Sequence, residues 1–173
     1  MIEMNVQLYW GPRAEELESL VQQAIKYLAG VKGLGPPFEA WVQPGKSRRT
    51  ALASPVIDLT DSEEIRKLFL KGRNWTDFTP RTVIPELGYN FRLWNRDAGD
   101  VDATLSLRCG VNSHFLSQDA QNQLHFRAVA RGILPLDDAA INQVFLRSAD
   151  IWDPQSGRAW IKWADAEHTV AAV

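Results

Sequence analysis

Three aspartates close together, Asp97, Asp100 and Asp102 in the stretch RDAGDVD, are the first residues whose type and spacing could do chemistry. Carboxylates gathered at one point can share a proton, activate water or hold divalent cations, the equipment of a small hydrolase or nuclease with His114 as its base. Aspartate is equally the residue of a solvated turn, where its side chain bonds locally and its backbone tolerates a left-handed conformation. The turn reading is the stronger, because turns favour aspartate and a solvated acidic tip costs nothing.

Other catalytic patterns are incomplete. CGVNSHF brings Cys109, Ser113 and His114 together in sequence, but nucleophile and base are recognised by geometry, and Cys109 falls on the apolar side of a strand pattern, where a thiol is inert. The three histidines His114, His125 and His168 have no metal-ligand spacing. In LYWGPRAEELE an apolar run meets Gly11-Pro12 and then a helix, the outline of a phosphate loop. It lacks the lysine and the glycine spacing, a proline replaces a backbone donor, and Glu15, Glu16 and Glu18 would repel an anion. Lys46, Arg48 and Arg49 form one basic cluster without interleaved aromatics, which reads as a solvated loop.

These residues need elements to position them. MNVQLYW alternates, with Val6, Leu8 and Trp10 on one side, and predicts a strand over 4–10. Helical spacing of Leu17, Leu20, Val21, Ala24, Ile25 and Leu28 predicts a helix over 14–30, with Pro12 suited to its first turn. FEAWV predicts a short edge strand and PGKSRRT a loop. Thr60 and Glu63 have the spacing of a capping box before a second helix over 60–72, which Gly72 ends. Leu87, Tyr89, Phe91 and Leu93 alternate, as do Val101, Ala103, Leu105, Leu107 and Cys109, so 87–95 and 101–109 predict a hairpin across the acidic turn. QLHFRAV extends the sheet. A third helix follows over 136–152, with Asp137 and Asp138 in its first turn, then RAWIKW as a last strand, while AEHTVAAV carries no strong signal. The expected architecture is one α+β domain over 1–173, a largely antiparallel sheet with about three helices on one face.

Composition narrows the function. The chain has 173 residues, enough for a real core, and a formal net charge of −2 that argues against a nucleic-acid-coating protein. A single cysteine allows no intrachain disulfide, and the N-terminus has no export signal, so a reducing cytoplasmic setting is expected. Seven tryptophans are unusually many. Trp10 and Trp152 suit the core, and two or three others suit exposed anchors of an interface.

Five strings, LYWGPR (8–13), LFLKGRN (68–74), PELGYNFRLWN (85–95), LSLRCG (105–110) and WDP (152–154), resemble in the same order the immunity protein 52 family of bacterial polymorphic-toxin systems. Members of that family tend to be longer, with further strands after the WDP helix. The resemblance implies a cytoplasmic antidote that binds a cognate toxin, often a nuclease of restriction-endonuclease-like type, in some cases delivered by type VI secretion. Such a protein acts by stoichiometric binding, without catalytic residues, cofactor or metal, and contacts neither nucleic acid nor a membrane directly. A non-toxin adaptor domain is the bland alternative.

The expected binding surface is the polar side of the hairpin: Arg92, Trp94, Asp102, Thr104 and Arg108, joined by Asp97 and Asp100 at its tip. Arg73, Asn74 and Trp75 of the GRNW loop are the second group. Strand alternation points Trp94 opposite to Phe91 and Leu93. Were helices to cover that face too, Trp94 would be core. The acidic tip would speed encounter with a basic partner more than it would strengthen binding.

Overall fold

The alternation of Val6, Leu8 and Trp10 becomes β1 (Ile2–Trp10), which lies between β4 (Asn122–Ala130) and β5 (Ser156–Trp163), antiparallel to both. β4 also pairs with β3 (Val101–Val111), β3 with β2 (Leu87–Trp94), and β5 with β6 (Ala166–Ala172). The result is a six-stranded antiparallel sheet in the order β2-β3-β4-β1-β5-β6. This computed structural model describes residues 1–96, 100–113, 121–132, 136–163 and 166–173. Asp97 and His114 lie outside them.

One side of the sheet is covered. Helices α1 (Leu17–Lys32), α3 (Ser62–Lys71) and α4 (Asp138–Trp152) pack there, α1 against β3, α3 against β2, and α4 against β1, β5 and β6. The predicted stripes are the buried ones: Leu20, Val21, Ala24 and Leu28 on α1, and Ile65, Leu68 and Phe69 on α3. Phe69 meets Tyr89 and Phe91 edge to face, at centroid distances of 5.6 and 5.2 Å. Fully burying a side chain of this size contributes about 1.5–3 kcal/mol. The hairpin holds in the register Phe91 opposite Leu107 and Leu93 opposite Leu105, so both apolar rows face the helices.

Parts of the five strings meet at joints of this fold. Trp10 stacks on Trp152 at 5.5 Å, and Arg13 donates to the Trp152 carbonyl (2.7 Å) at the carbonyl-rich end of α4 while pairing with Glu15 and Asp153. A Cβ at Gly72 would collide with the Asn90 carbonyl, and one at Gly88, which has φ +60°, with the Cys109 carbonyl.

Several expectations are corrected. α1 begins at Leu17, so Pro12 is not in its first turn; residues 11–13 are held by the sheet instead, Asn122 donating to the Gly11 carbonyl (2.7 Å) and the Arg13 N–H to Val111 (2.8 Å). The cap of α3 is Asp61, not Thr60, whose N–H and hydroxyl both donate to Asp58. FEAWV is no strand. Phe38 and Trp41 both enter the core, Trp41 Nε1 donating to the Phe38 carbonyl (2.8 Å), and only Val42 pairs with Trp94. The basic loop contains a short helix, α2 (Arg48–Leu52), capped by Ser47 and Thr50, which brings the described helices to four. RAWIKW is not the last strand, because AEHTVAA forms β6 beside it.

Candidate functional site

The other side of the sheet carries polar and aromatic residues from every strand, and its strands set the site by register. One cross-strand row runs Trp94, Thr104, Arg127, Asn5, Trp160 and Thr169; the next runs Arg92, Ser106, His125, Gln7 and Arg158. Five spacings of about 4.8 Å between the six strands, times about 27 Å of strand length, give a face of roughly 650 Å². That approaches the ~800 Å² per partner of a standard protein interface.

The segment after Trp41 turns part of this face into a groove. It passes the edge of β2, where Val42 and Trp94 exchange two backbone hydrogen bonds of 2.9 Å, and α2 then lies over the polar side. The groove has a volume of about 700 Å³, with Pro44, Ser47 and Arg48 on its wall and Arg92, Trp94, Asp102, Thr104, Ser106 and His125 among its floor residues. Trp94 is half-buried: Arg48 sits 5.5 Å from its ring centroid, and its Nε1 donates to Asp102 Oδ1 at 2.8 Å. The three long helices do not cover this face, α2 lies over only its β2 side, and Trp94 is half-buried rather than core.

Electrostatics differ along the row. Glu3 accepts from Arg127 Nε (2.8 Å), which holds its carboxyl below the ordinary range and raises the guanidinium. His125 Nε2 donates to Asn5 Oδ1 at 3.0 Å; burial, with Arg127 and Arg92 nearby, lowers its pKa against the opposing pull of Glu3. On β5 Arg158 stacks 4.0 Å over the Trp160 ring, which is only 7 % exposed.

The expected residues fall into three places. Arg92, Trp94, Asp102 and Thr104 come together in the groove, and Arg108 lies on the same face, opposite Asn90 and Gln123. Asp100 is exposed at the hairpin tip with φ +62°, and Asp97 lies outside the described residues. Arg73, Asn74 and Trp75 sit elsewhere, at the outer edge of β2, where Arg73 pairs with Tyr89. Five residues of strand, about 17 Å, separate that point from Trp94. Asn74 is committed to the fold, donating to the Leu87 (3.0 Å) and Gly88 (3.3 Å) carbonyls, while Trp75 is 43 % exposed.

Sequence reasoning missed Gln7, Tyr9, Ser47 and Arg48 as groove residues. The alternating Asn5, Gln7 and Tyr9 carried a signal of an open face, but nothing local placed β1 two strands from β3. Among the described residues no group of three or more His, Cys, Asp or Glu side chains is arranged to hold a metal ion, and no helix is long and apolar enough to cross a membrane. Asp102, the carboxylate among the described groove residues, is engaged by an indole N–H. Cys109 is fully buried, which raises its thiol pKa well above the ordinary value. No family model matches the chain, and no curated protein matches its sequence.

Proposed function

We propose that this protein is an immunity protein: it binds a cognate toxin stoichiometrically, in the bacterial cytoplasm, through the open face of its sheet. One observation carries the reading. Among the described residues three long helices pack one face of the sheet, while α2 and the segment leading to it lie over only part of the other, which presents tryptophan and arginine, the residue types that dominate interface energetics, around a shaped groove. The resemblance of the five ordered strings to the immunity protein 52 family supplies the class of partner, a toxin of nuclease type. PELGYNFRLWN forms β2 and carries Arg92 and Trp94, and the partner-reading residues in this proposal are the ones around Trp94. Type VI delivery of the toxin belongs to the same proposal.

The test uses the gene adjacent to this one. Co-expression of the encoded toxin with this protein is expected to rescue growth, and the two chains to co-purify in a fixed ratio; a protein that neither protects nor co-purifies is no antidote to that toxin. Changing Asp97, Asp100 and Asp102 together to Asn separates a binder from an enzyme. A binder loses affinity by degrees, whereas a hydrolase using these carboxylates loses its activity outright.

A further inference from the structure

We infer that the groove between α2 and the β2–β3–β4 floor receives a carboxylate-bearing segment of the partner protein, an assignment that rests on the toxin-binding reading of the face. Its volume of about 700 Å³ lies within the range that encloses a few side chains. Among the described residues two guanidinium-bearing side chains line it, Arg48 from the wall, held over Trp94, and Arg92 from the floor, with Asp102 as the carboxylate. Arg92 is exposed and has no carboxylate partner among the described residues. Asp102 already accepts the Trp94 indole N–H, which withdraws part of its charge from an incoming acid. Around these charges stand neutral hydroxyls and amides, Ser47, Thr104, Ser106 and Gln123, able to satisfy the backbone of an extended segment.

The same observations disfavour a nucleic acid. Arg48 covers the Trp94 ring at 5.5 Å, so that face is closed to a stacked base. A phosphate backbone would have to carry repeated charges past Asp102 on a chain of net charge −2, whereas a single carboxylate needs only an arginine fork.

The inference can be tested without the toxin. A short fluorescent peptide with two glutamates, its glutamine counterpart and a labelled oligothymidylate are titrated into the full-length protein, and the Trp94 indole N–H signal is followed by NMR. The glutamate peptide is expected to shift that signal and to bind about tenfold more tightly than the glutamine peptide, with Arg92→Gln and Arg48→Gln each removing most of the difference. Both positions are exposed, and an unchanged circular dichroism spectrum verifies that the variants fold. Equal binding of the two peptides, tighter binding of the oligonucleotide, or an unaltered Arg92→Gln variant overturns the inference. With the toxin, undiminished affinity of the Arg48→Gln/Arg92→Gln double variant overturns it while the antidote reading stands. Wild-type protein that binds the glutamate peptide but not the toxin overturns the antidote reading and leaves the acid-binding groove in place.

Discussion

Trp94 on β2 and Trp160 on β5 occupy the same cross-strand row of the open face, with Thr104, Arg127 and Asn5 between them on β3, β4 and β1. They are not equivalent: Trp94 is half-buried beside Arg48, whereas Trp160 is 7 % exposed beneath Arg158. Trp160→Ala is therefore expected to cost about 3 kcal/mol of stability, and Trp94→Ala about 1 kcal/mol. Urea unfolding measures both. Toxin affinity should rank the other way, with Trp94→Ala losing more than tenfold, on the order of an interface hot spot.

Trp75 and Asn74 are neighbours with opposite expectations. Asn74→Ala removes hydrogen bonds to two strand carbonyls and should lower stability by about 1–2 kcal/mol without a separate effect on binding. Trp75→Ala should leave stability within about 0.5 kcal/mol and weaken the toxin complex. Calorimetric titration showing unchanged affinity removes Trp75 from the interface.

Arg13 ties the first corner of the chain to the last turn of α4. Arg13→Ala loses a charge-assisted bond to the Trp152 carbonyl and is expected to cost about 2 kcal/mol. The stacked Trp10–Trp152 pair reports the loss through a changed tryptophan emission spectrum. An unaltered denaturation midpoint would refute the tether.

Stability should fall as the pH drops below 6.5, the ordinary histidine pKa. Burial of His125, with Arg127 and Arg92 facing it, depresses its folded pKa against the opposing Glu3. Between the folded and unfolded values the unfolded chain binds more protons, so acid favours unfolding. Glu3, depressed from 4.5, adds its own loss only at lower pH. Urea midpoints at about pH 7.5 and about pH 5.5 should differ in the wild type and converge in His125→Asn.

Gly88→Ala should destabilise by about 2–4 kcal/mol, since it combines a left-handed backbone with collision against the Cys109 carbonyl. Thermal unfolding of this single variant tests the β2–β3 joint.

The hairpin and the three long helices were legible because each buries one continuous stripe. A period of two in Phe91 and Leu93, or of 3.6 in Leu20, Val21, Ala24 and Leu28, is imposed by a single apolar boundary and survives in the sequence. β6 was not legible. Ala166–Ala172 adds to the edge of β5 through backbone bonds and contributes little apolar side chain, with Val170 and Ala171 only partly buried against the core. α2 stayed hidden because its cap, Ser47 with Thr50, lies in a stretch whose exposed basic residues carry no stripe.

Thus the sequence alone determined much of the local architecture: β1, the β2–β3 hairpin and the three long helices, and which side of each is apolar. The tertiary structure decided what those polar sides amount to. Strand order placed His125 and Gln7 beside Arg92, and the passage of residues 42–48 around the edge of β2 laid Arg48 over Trp94. Alternation along one strand reports only the two faces of that strand. The neighbours across a sheet come from pairing between residues far apart in the chain, and no local pattern encodes them.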